Sequence, residues 1–126
     1  MLPICGGRCL VYAPGIAKLD AGTLAELEAA SLSFVDGTFF RGDELSQTRP
    51  GAPDAAAMGH VPISGSGGSL PVLAELRAAK PSGSSGRVVY IHMNNTNPIL
   101  DAASPEASLV QRAGIEIAMD GMSFEI

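Results

Sequence analysis

The sequence lacks several features that define large classes of proteins. It has no tryptophan, 5% aromatic residues and two cysteines in 126 residues. Two cysteines cannot build the disulfide framework of small secreted domains, so we expect a reducing, cytoplasmic setting. Lysine and arginine number 8 against 13 acidic residues, and a net charge of −5 disfavours binding to nucleic-acid phosphates. No apolar run reaches the roughly 18 residues of a membrane span. We therefore expect neither nucleic acid nor membrane as a partner.

The remaining composition favours one globular domain with a thin core. The chain has the length of a single domain, typically ~100–150 residues, and 46% of its residues are hydrophobic. Its 15 glycines and 9 prolines predict many loops, and the scarcity of aromatic side chains predicts a core of small aliphatic residues. Such a composition is typical of a half-domain whose apolar faces lack their covering layer. Residues 1–126 are therefore predicted to form a single partial domain.

Hydrophobic patterning predicts an α/β architecture. Apolar runs bounded by turn residues predict buried strands at 8–13, 32–35 and 87–92. Capping residues followed by helical spacing predict helices at 23–30, 69–79 and 104–113. Two apolar arms joined by Asp120-Gly121 predict a terminal hairpin at 115–119 and 122–126. Segments 41–57 and 80–86 are predicted to be flexible. Together these elements predict a mixed sheet with flanking helices.

Three polar clusters directly follow apolar runs: Asp36-Gly37-Thr38, the neighbourhood of His60, and the string from His92 to Asn97. Loops at strand ends gather at one edge of an α/β sheet, so we expect the three clusters to converge on a cleft. A neutral imidazole can ligate a metal or act as a base, and a carboxylate such as Asp36 can orient it or share the metal. The alternative is that each histidine is a hydrogen-bonded structural residue.

Three further patterns carry weaker signals. Residues 65–69 precede a helix but contain no Walker lysine, so a plain lead-in is favoured over a phosphate cradle. Cys5 and Cys9 have no second cysteine pair with which to form a metal site, and we expect unreactive thiols. The serines near His60 lack a nucleophile elbow, which argues against a serine hydrolase.

Several segments, in the same order along the chain, resemble the coenzyme PQQ synthesis protein B family. They are residues 12–15, 35–39, 58–65, 90–100, 113–118 and 120–122. The resemblance covers nearly the whole chain, and His-x-Asn-Asn-Thr-Asn-Pro is its most specific string. It implies the αββα sandwich of the metallo-β-lactamase superfamily, with a metal site at the sheet edge. Family members are about twice this length, so the chain resembles their C-terminal part.

The resemblance also implies roles for the polar clusters. His92 resembles the last metal-ligand histidine of the family, and Asp36 and His60 resemble cleft residues with proton-transfer or supporting roles. Asn94, Asn95 and Thr96 are the expected substrate-binding residues. The upstream His/Asp-rich metal motif of the superfamily does not occur in this sequence. We therefore expect the family's iron or zinc to be held weakly or not at all by this chain, which is expected to be inactive alone.

The function implied by the resemblance is a step in making pyrroloquinoline quinone (PQQ) from a precursor peptide that carries Glu and Tyr. Two roles stay open. One is an iron-dependent oxygenase that hydroxylates the tyrosine ring, which histidine and carboxylate ligands favour. The other is a carrier that takes PQQ or its precursor toward the periplasm. The expected partners are the precursor and other PQQ biosynthesis proteins.

Overall fold

Five strands form one sheet, and their order across the sheet is their order along the chain. The structure, a computed structural model, describes residues 2–4, 7–80 and 86–126. The strands are β1 (Leu2–Ile4), β2 (Arg8–Ala13), β3 (Leu32–Asp36), β4 (Arg87–Ile91) and β5 (Glu116–Ile117). β1 pairs antiparallel with β2, and β2 to β5 are parallel neighbours. The predicted α/β class and mixed sheet are confirmed.

Helices connect the parallel strands. They are α1 (Ala21–Ala29), α2 (Glu44–Thr48), α3 (Ser69–Ala78) and α4 (Pro105–Arg112), with 3-10 turns at Ala56–Met58 and Pro98–Leu100. None of the helices in the described parts of the chain is long and apolar enough to cross a bilayer. From β2 to β5, each new strand is added on the same side of the strand before it. Because strand–helix–strand crossovers are right-handed, the connecting helices all lie on one face of the sheet.

The core lies on that helix-covered face. Strand side chains that alternate toward it, such as Val11, Val35 and Tyr90, belong to the same buried cluster as Leu73 of α3 and Val110 of α4. Alternation along a strand directs every second side chain to this face. The packing of helices against it fixes the positions of the strand ends, where the polar clusters begin.

The C-terminal tail covers part of the opposite face. Phe124 packs edge-on against Phe34, with ring centroids 5.0 Å apart, and the Arg87 guanidinium lies 4.9 Å from the Phe124 centroid. Arg87 donates two hydrogen bonds to Glu116 on β5, at 2.8 and 2.6 Å. These bonds hold the pKa of the Glu116 carboxyl below its usual range. These contacts hold the tail against this face of the sheet.

The predicted terminal hairpin is wrong. Only Glu116–Ile117 of the first arm forms a strand, and it pairs parallel with β4. A turn follows, in which the Met122 N–H donates to the Met119 carbonyl at 3.1 Å, but residues 118–126 contain no strand. By crossing the sheet face, the tail brings Phe124 onto Phe34, a contact that a second arm beside β5 would not make. The antiparallel pair of the mixed sheet is β1–β2, at the other edge.

The helix starts were predicted with mixed success. α1 begins at Ala21 rather than after Thr23, because the Asp20 carboxylate accepts from the Thr23 N–H at 2.9 Å and is the N-cap. α4 has the predicted cap, since Ser104 Oγ accepts from the Ala107 N–H at 3.0 Å. Short side-chain caps therefore decide where both helices begin.

The segment 41–57, predicted to be flexible, contains regular structure. It includes α2 and the first 3-10 turn, and Glu44 at the start of α2 is buried. Its sequence has no sustained hydrophobic period, because a helix of this length buries too few residues to show one. Of the second predicted flexible segment, residues 81–85 lie outside the described residues.

Candidate functional site

The carboxyl ends of neighbouring parallel strands bring the predicted site residues to one edge of the sheet. Asp36 is the last residue of β3 and pairs with Ile91, which ends β4 directly before His92. His60 comes from the connection between β3 and α3. The hydrogen bonds among these side chains confirm the predicted convergence of the three polar clusters.

Asp36 is a buried carboxylate whose hydrogen-bonding capacity is fully used. The residue is 2% exposed. Its Oδ2 accepts from the Ile16 N–H at 2.8 Å and lies 2.8 Å from His60 Nδ1. Its Oδ1 accepts from the Thr38 N–H at 3.1 Å and from the Thr38 hydroxyl at 2.7 Å. These partners match the roughly four lone-pair sites of an ionised carboxylate. The carboxylate therefore ties the loop after β2 to the loop after β3.

The Thr38 hydroxyl joins all three predicted residues. Its Oγ1 lies 2.7 Å from Asp36 Oδ1, 3.1 Å from His60 Nδ1 and 2.9 Å from His92 Nδ1. Thr38 is 6% exposed, so water competes little for these contacts. The residue belongs to a predicted polar cluster but had no predicted role. Spacing alone cannot show that one hydroxyl reaches imidazoles 22 and 54 residues further along the chain.

Backbone contacts hold His60 in the site. The preceding Gly59 has a φ of 81°, a left-handed conformation that suits glycine and ends the 3-10 turn. The following Val61 donates its N–H to the Ile16 carbonyl at 2.7 Å. The His60 side chain is 16% exposed, with Nδ1 against Asp36. His60 is therefore a largely buried imidazole held by both its backbone and its ring.

His92 leaves β4 through an uncommon backbone conformation. Its φ of 62° is the single positive value for a non-glycine among the described residues. Histidine is one of the few residue types enriched in this region, and strained conformations of this kind cluster at functional sites. The residue is exposed, and its ring stacks on that of His60 with centroids 5.9 Å apart and planes 23° from parallel. The turn places the imidazole at the lip of the site.

The string after His92 uses the polar side chains of Asn94, Thr96 and Asn97 within the protein. Asn94 Nδ2 donates to Thr96 Oγ1 at 2.7 Å, and Thr96 Oγ1 donates to Glu44 Oε2 at 2.7 Å. Glu44 Oε1 accepts from the Phe40 N–H at 2.9 Å. Asn95 is exposed. Substrate binding by Asn94, Asn95 and Thr96 stays a prediction, and the contacts of Asn94 and Thr96 attach their loop to α2.

Two residues of this region, Asn97 and Glu44, were missed. Asn97 is buried, donates to the Gly37 carbonyl at 2.7 Å and accepts from the Ile99 N–H at 3.0 Å. Asparagine commonly satisfies backbone groups in turns, and this tendency could have indicated its role. Glu44 gave no such signal, because it lies in a segment without a helical period.

Asp36, His60 and His92 form a group that could hold a metal ion. One donor atom from each lies within 4.8 Å of the others. Imidazole nitrogen and carboxylate oxygen are donors that zinc and non-haem iron take in proteins. Each imidazole has its Nδ1 against an oxygen, the arrangement that orients metal-bound histidines. The donor types of these three residues fit zinc or iron.

A cavity of about 620 Å³ opens beside His92. Its lining is mostly apolar and includes Met93, Leu100 and Met119, with Gln111 and Asp120 as polar members. Small-molecule sites are typically ~300–1,000 Å³ and apolar with a few polar groups. His92 therefore borders a space of the size and character that an organic ligand needs.

Of the weaker sequence candidates, Ser69 and Cys9 form their hydrogen bonds with residues outside this site. Ser69 is the first residue of α3, Gly68 is the N-cap, and Ser69 Oγ lies 2.8 Å from the Tyr90 hydroxyl. Cys9 is a partly buried free thiol, and Cys5 lies outside the described residues.

The chain is similar to proteins named coenzyme PQQ synthesis protein B. It is 43% identical over 120 residues to that of Cupriavidus necator and to that of Azotobacter vinelandii, which is 95% of this chain and 37% of each relative. The crystal structure of Zn²⁺-bound PqqB from Methylobacterium extorquens matches with a TM-score of 0.83 and 32% identity, over 96% of this chain and 41% of that one. No family model matches the chain.

These comparisons confirm the predicted resemblance and the predicted fold. The chain forms part of a metallo-β-lactamase-like fold. It spans 37% of the length of the curated relatives, so those relatives are longer than the twofold length that we expected.

Proposed function

We propose that this chain is part of a protein of PQQ biosynthesis, and that its site serves the metal-dependent oxidation of a tyrosine-derived precursor. The convergence of Asp36, His60 and His92 on the Thr38 hydroxyl is the observation that supports this most. The names of the relatives support the pathway, and the zinc in the similar crystal structure supports a metal.

His92 is the proposed metal ligand of this chain. It is exposed, it borders the cavity, and its Nδ1 is engaged by Thr38. A bound zinc or iron ion would supply Lewis-acid or redox chemistry. The remaining ligands would come from elsewhere in a protein that is longer than this chain.

Asp36 and His60 are the proposed proton-transfer pair. The buried carboxylate lies 2.8 Å from His60 Nδ1, so it fixes the ring and stabilises the imidazolium that forms when His60 takes a proton. Its hydrogen bonds to backbone N–H groups keep the carboxylate in place during that step. His60 Nε2 is then the atom that exchanges a proton with a substrate in the cleft.

The cavity beside His92 is the proposed place for the aromatic part of the precursor. Its apolar lining suits a tyrosine-derived ring, and Asp120 and Gln111 can contact polar substituents. Asn95, exposed in the loop that follows His92, is the proposed contact to the peptide portion.

Titration of the chain with Zn²⁺ against a chromophoric chelator tests the metal site. His92→Ala removes a ligand and is expected to weaken binding at least ~100-fold, whereas His60→Ala removes an orienting neighbour and is expected to weaken it ~10-fold. Glu125→Gln changes an exposed carboxylate of the tail and should bind like the wild type. Equal affinities of the wild type and His92→Ala would contradict the proposal.

Calorimetry with PQQ distinguishes the proposed enzymatic role from the carrier role. Under the enzyme proposal, PQQ binds poorly to the metal-free chain. Micromolar binding of PQQ without metal, unaffected by His92→Ala, would contradict the proposed oxidation and support the carrier role.

A further inference from the structure

We propose that the Thr38 hydroxyl holds both histidines of the site in one neutral tautomer, with the proton on Nδ1 and the lone pair on Nε2. Thr38 is then a positioning residue that acts through the two imidazoles. The tautomers follow from the hydrogen bonds around Thr38, and only the use of the free nitrogens rests on the proposed function.

The first step is the placement of the hydroxyl proton. Thr38 Oγ1 has one proton and three neighbours, of which Asp36 Oδ1 at 2.7 Å is the nearest. An ionised carboxylate only accepts, so this contact requires Thr38 to be the donor. The hydroxyl then has only lone pairs to offer to the imidazoles.

His92 must therefore be the donor in its contact with Thr38. Its Nδ1 lies 2.9 Å from Oγ1, and two lone pairs at that distance would repel each other. A proton on Nδ1 makes the contact a hydrogen bond. No other hydrogen bond to the His92 ring occurs in the part of the chain that the structure describes. Thr38 alone therefore decides the tautomer of His92.

His60 reaches the same tautomer through two acceptors. Its Nδ1 lies 2.8 Å from Asp36 Oδ2 and 3.1 Å from Thr38 Oγ1, and neither oxygen has a proton to give. Asp36 would keep the proton on His60 Nδ1 even without the hydroxyl. The two histidines should thus respond differently when the hydroxyl is removed.

A proton on Nδ1 leaves a lone pair on Nε2 of each neutral ring. Both Nε2 atoms are then available, to a metal ion at His92 and to a substrate proton at His60. Asp36 already accepts four hydrogen bonds, so a coordinate bond from its carboxylate would require the loss of one of them. The network therefore makes Asp36 the anchor that orients the imidazoles.

Long-range ¹H–¹⁵N spectra of the metal-free chain test the proposal, because they report which ring nitrogen carries the proton. The chain has two histidines, so each spectrum contains two ring systems. At about pH 8, both rings should show the proton on Nδ1. A proton on Nε2 of His92 in the wild type would overturn the proposal.

Thr38→Val keeps the shape of the side chain and removes the hydroxyl. His92 is expected to lose its single tautomer, while His60 keeps the proton on Nδ1 through Asp36. Thr38→Ser restores the hydroxyl and should restore His92. An unchanged His92 in Thr38→Val would also overturn the proposal, and the wild-type spectrum alone still tests it if that variant does not fold.

Zn²⁺ titration of the same variants separates this inference from the proposed function. Thr38→Val should bind Zn²⁺ ~10-fold more weakly than the wild type, and Thr38→Ser should not. Tautomers as expected, together with equal Zn²⁺ affinities of the wild type and His92→Ala, would contradict the proposed function and support the inference. Zn²⁺ binding by a wild type whose His92 carries its proton on Nε2 would remove the inference alone.

Discussion

The distance between the ends of β3 and β4 depends on a single glycine. The Gly37 N–H donates to the Ile91 carbonyl at 2.8 Å. A Cβ at position 37 would lie 2.9 Å from that carbonyl oxygen and 2.9 Å from Tyr90 Cβ, closer than real Cβ atoms come to other atoms. Any side chain here would push the strands apart. Gly37 therefore allows Asp36 and His92 to come within reach of the same hydroxyl.

Gly37→Ala is expected to destabilise the chain by about 1–3 kcal/mol, because the added methyl group overpacks a backbone contact that cannot move away freely. Urea unfolding followed by circular dichroism measures this change, since the chain has no tryptophan for fluorescence. The midpoint should fall while the slope stays the same.

Gly42→Ala is the matched control. A Cβ at position 42 would have no atom within 4 Å, so the free energy of unfolding should stay the same or rise by up to about 1 kcal/mol. If both alanine variants unfolded at the same urea concentration, the close approach at Gly37 would not be important for stability.

At the scale of elements, α2 and the loop after β4 hold each other through one buried carboxylate. Glu44 accepts a hydrogen bond from the Phe40 N–H, four residues earlier in the chain, and another from the Thr96 hydroxyl in the loop after β4. Asn94 also donates its N–H to the Thr38 carbonyl at 3.0 Å. The loop that follows His92 is thus bound to α2 on one side and to the loop after β3 on the other.

Glu44→Ala is expected to cost about 1–3 kcal/mol of unfolding free energy, because it leaves the buried Phe40 N–H without its acceptor. A double-mutant cycle with Thr96→Val should give a coupling energy of about 0.5–3 kcal/mol, since the two side chains share a hydrogen bond. Urea unfolding of the four proteins measures both quantities.

Glu106→Ala removes a carboxylate that pairs at the surface with Arg41, at 3.2 Å. An exposed ion pair contributes at most about 1 kcal/mol, so this control should differ little from the wild type. Additive effects of Glu44→Ala and Thr96→Val would show that the two elements are not coupled through this bond.

These contacts mark the limit of what the sequence could predict. Buried strands and the Ser104 cap were predictable, because hydrophobic runs and caps act over a few residues. The edge at which Asp36 and His92 meet was also predictable, since parallel strands share a carboxyl end. The Glu44–Thr96 bond and the path of Phe124 were not, because they join residues far apart in sequence and depend on which surface the fold leaves uncovered.

At the scale of the whole molecule, the two faces of the sheet differ in how they are covered. On the helix side, Tyr90 is fully buried and its hydroxyl lies 2.8 Å from Ser69 Oγ. On the other side, Tyr12 of β2 is 64% exposed, and Phe124 of the tail packs against Phe34. The similar crystal structure extends well beyond this chain, which covers 41% of it. The stability of this chain should therefore depend chiefly on the helix-covered core.

That dependence predicts a loss of stability at alkaline pH. Burial, and secondarily the charge of Asp36, raises the pKa of Tyr90 above its usual range despite the hydrogen bond with Ser69. The contribution of Tyr90 to stability is fully present below the pKa of tyrosine in the unfolded chain, ~10. Above that pH the unfolded state loses the proton while the native state keeps it, so the free energy of unfolding falls by about 1.4 kcal/mol per pH unit. Between about pH 9 and pH 11, the wild type should lose about 1 kcal/mol more unfolding free energy than Tyr90→Phe. Tyr12→Phe, at the exposed tyrosine, should lose as much as the wild type. An equally steep loss in Tyr90→Phe would show that another group controls alkaline unfolding.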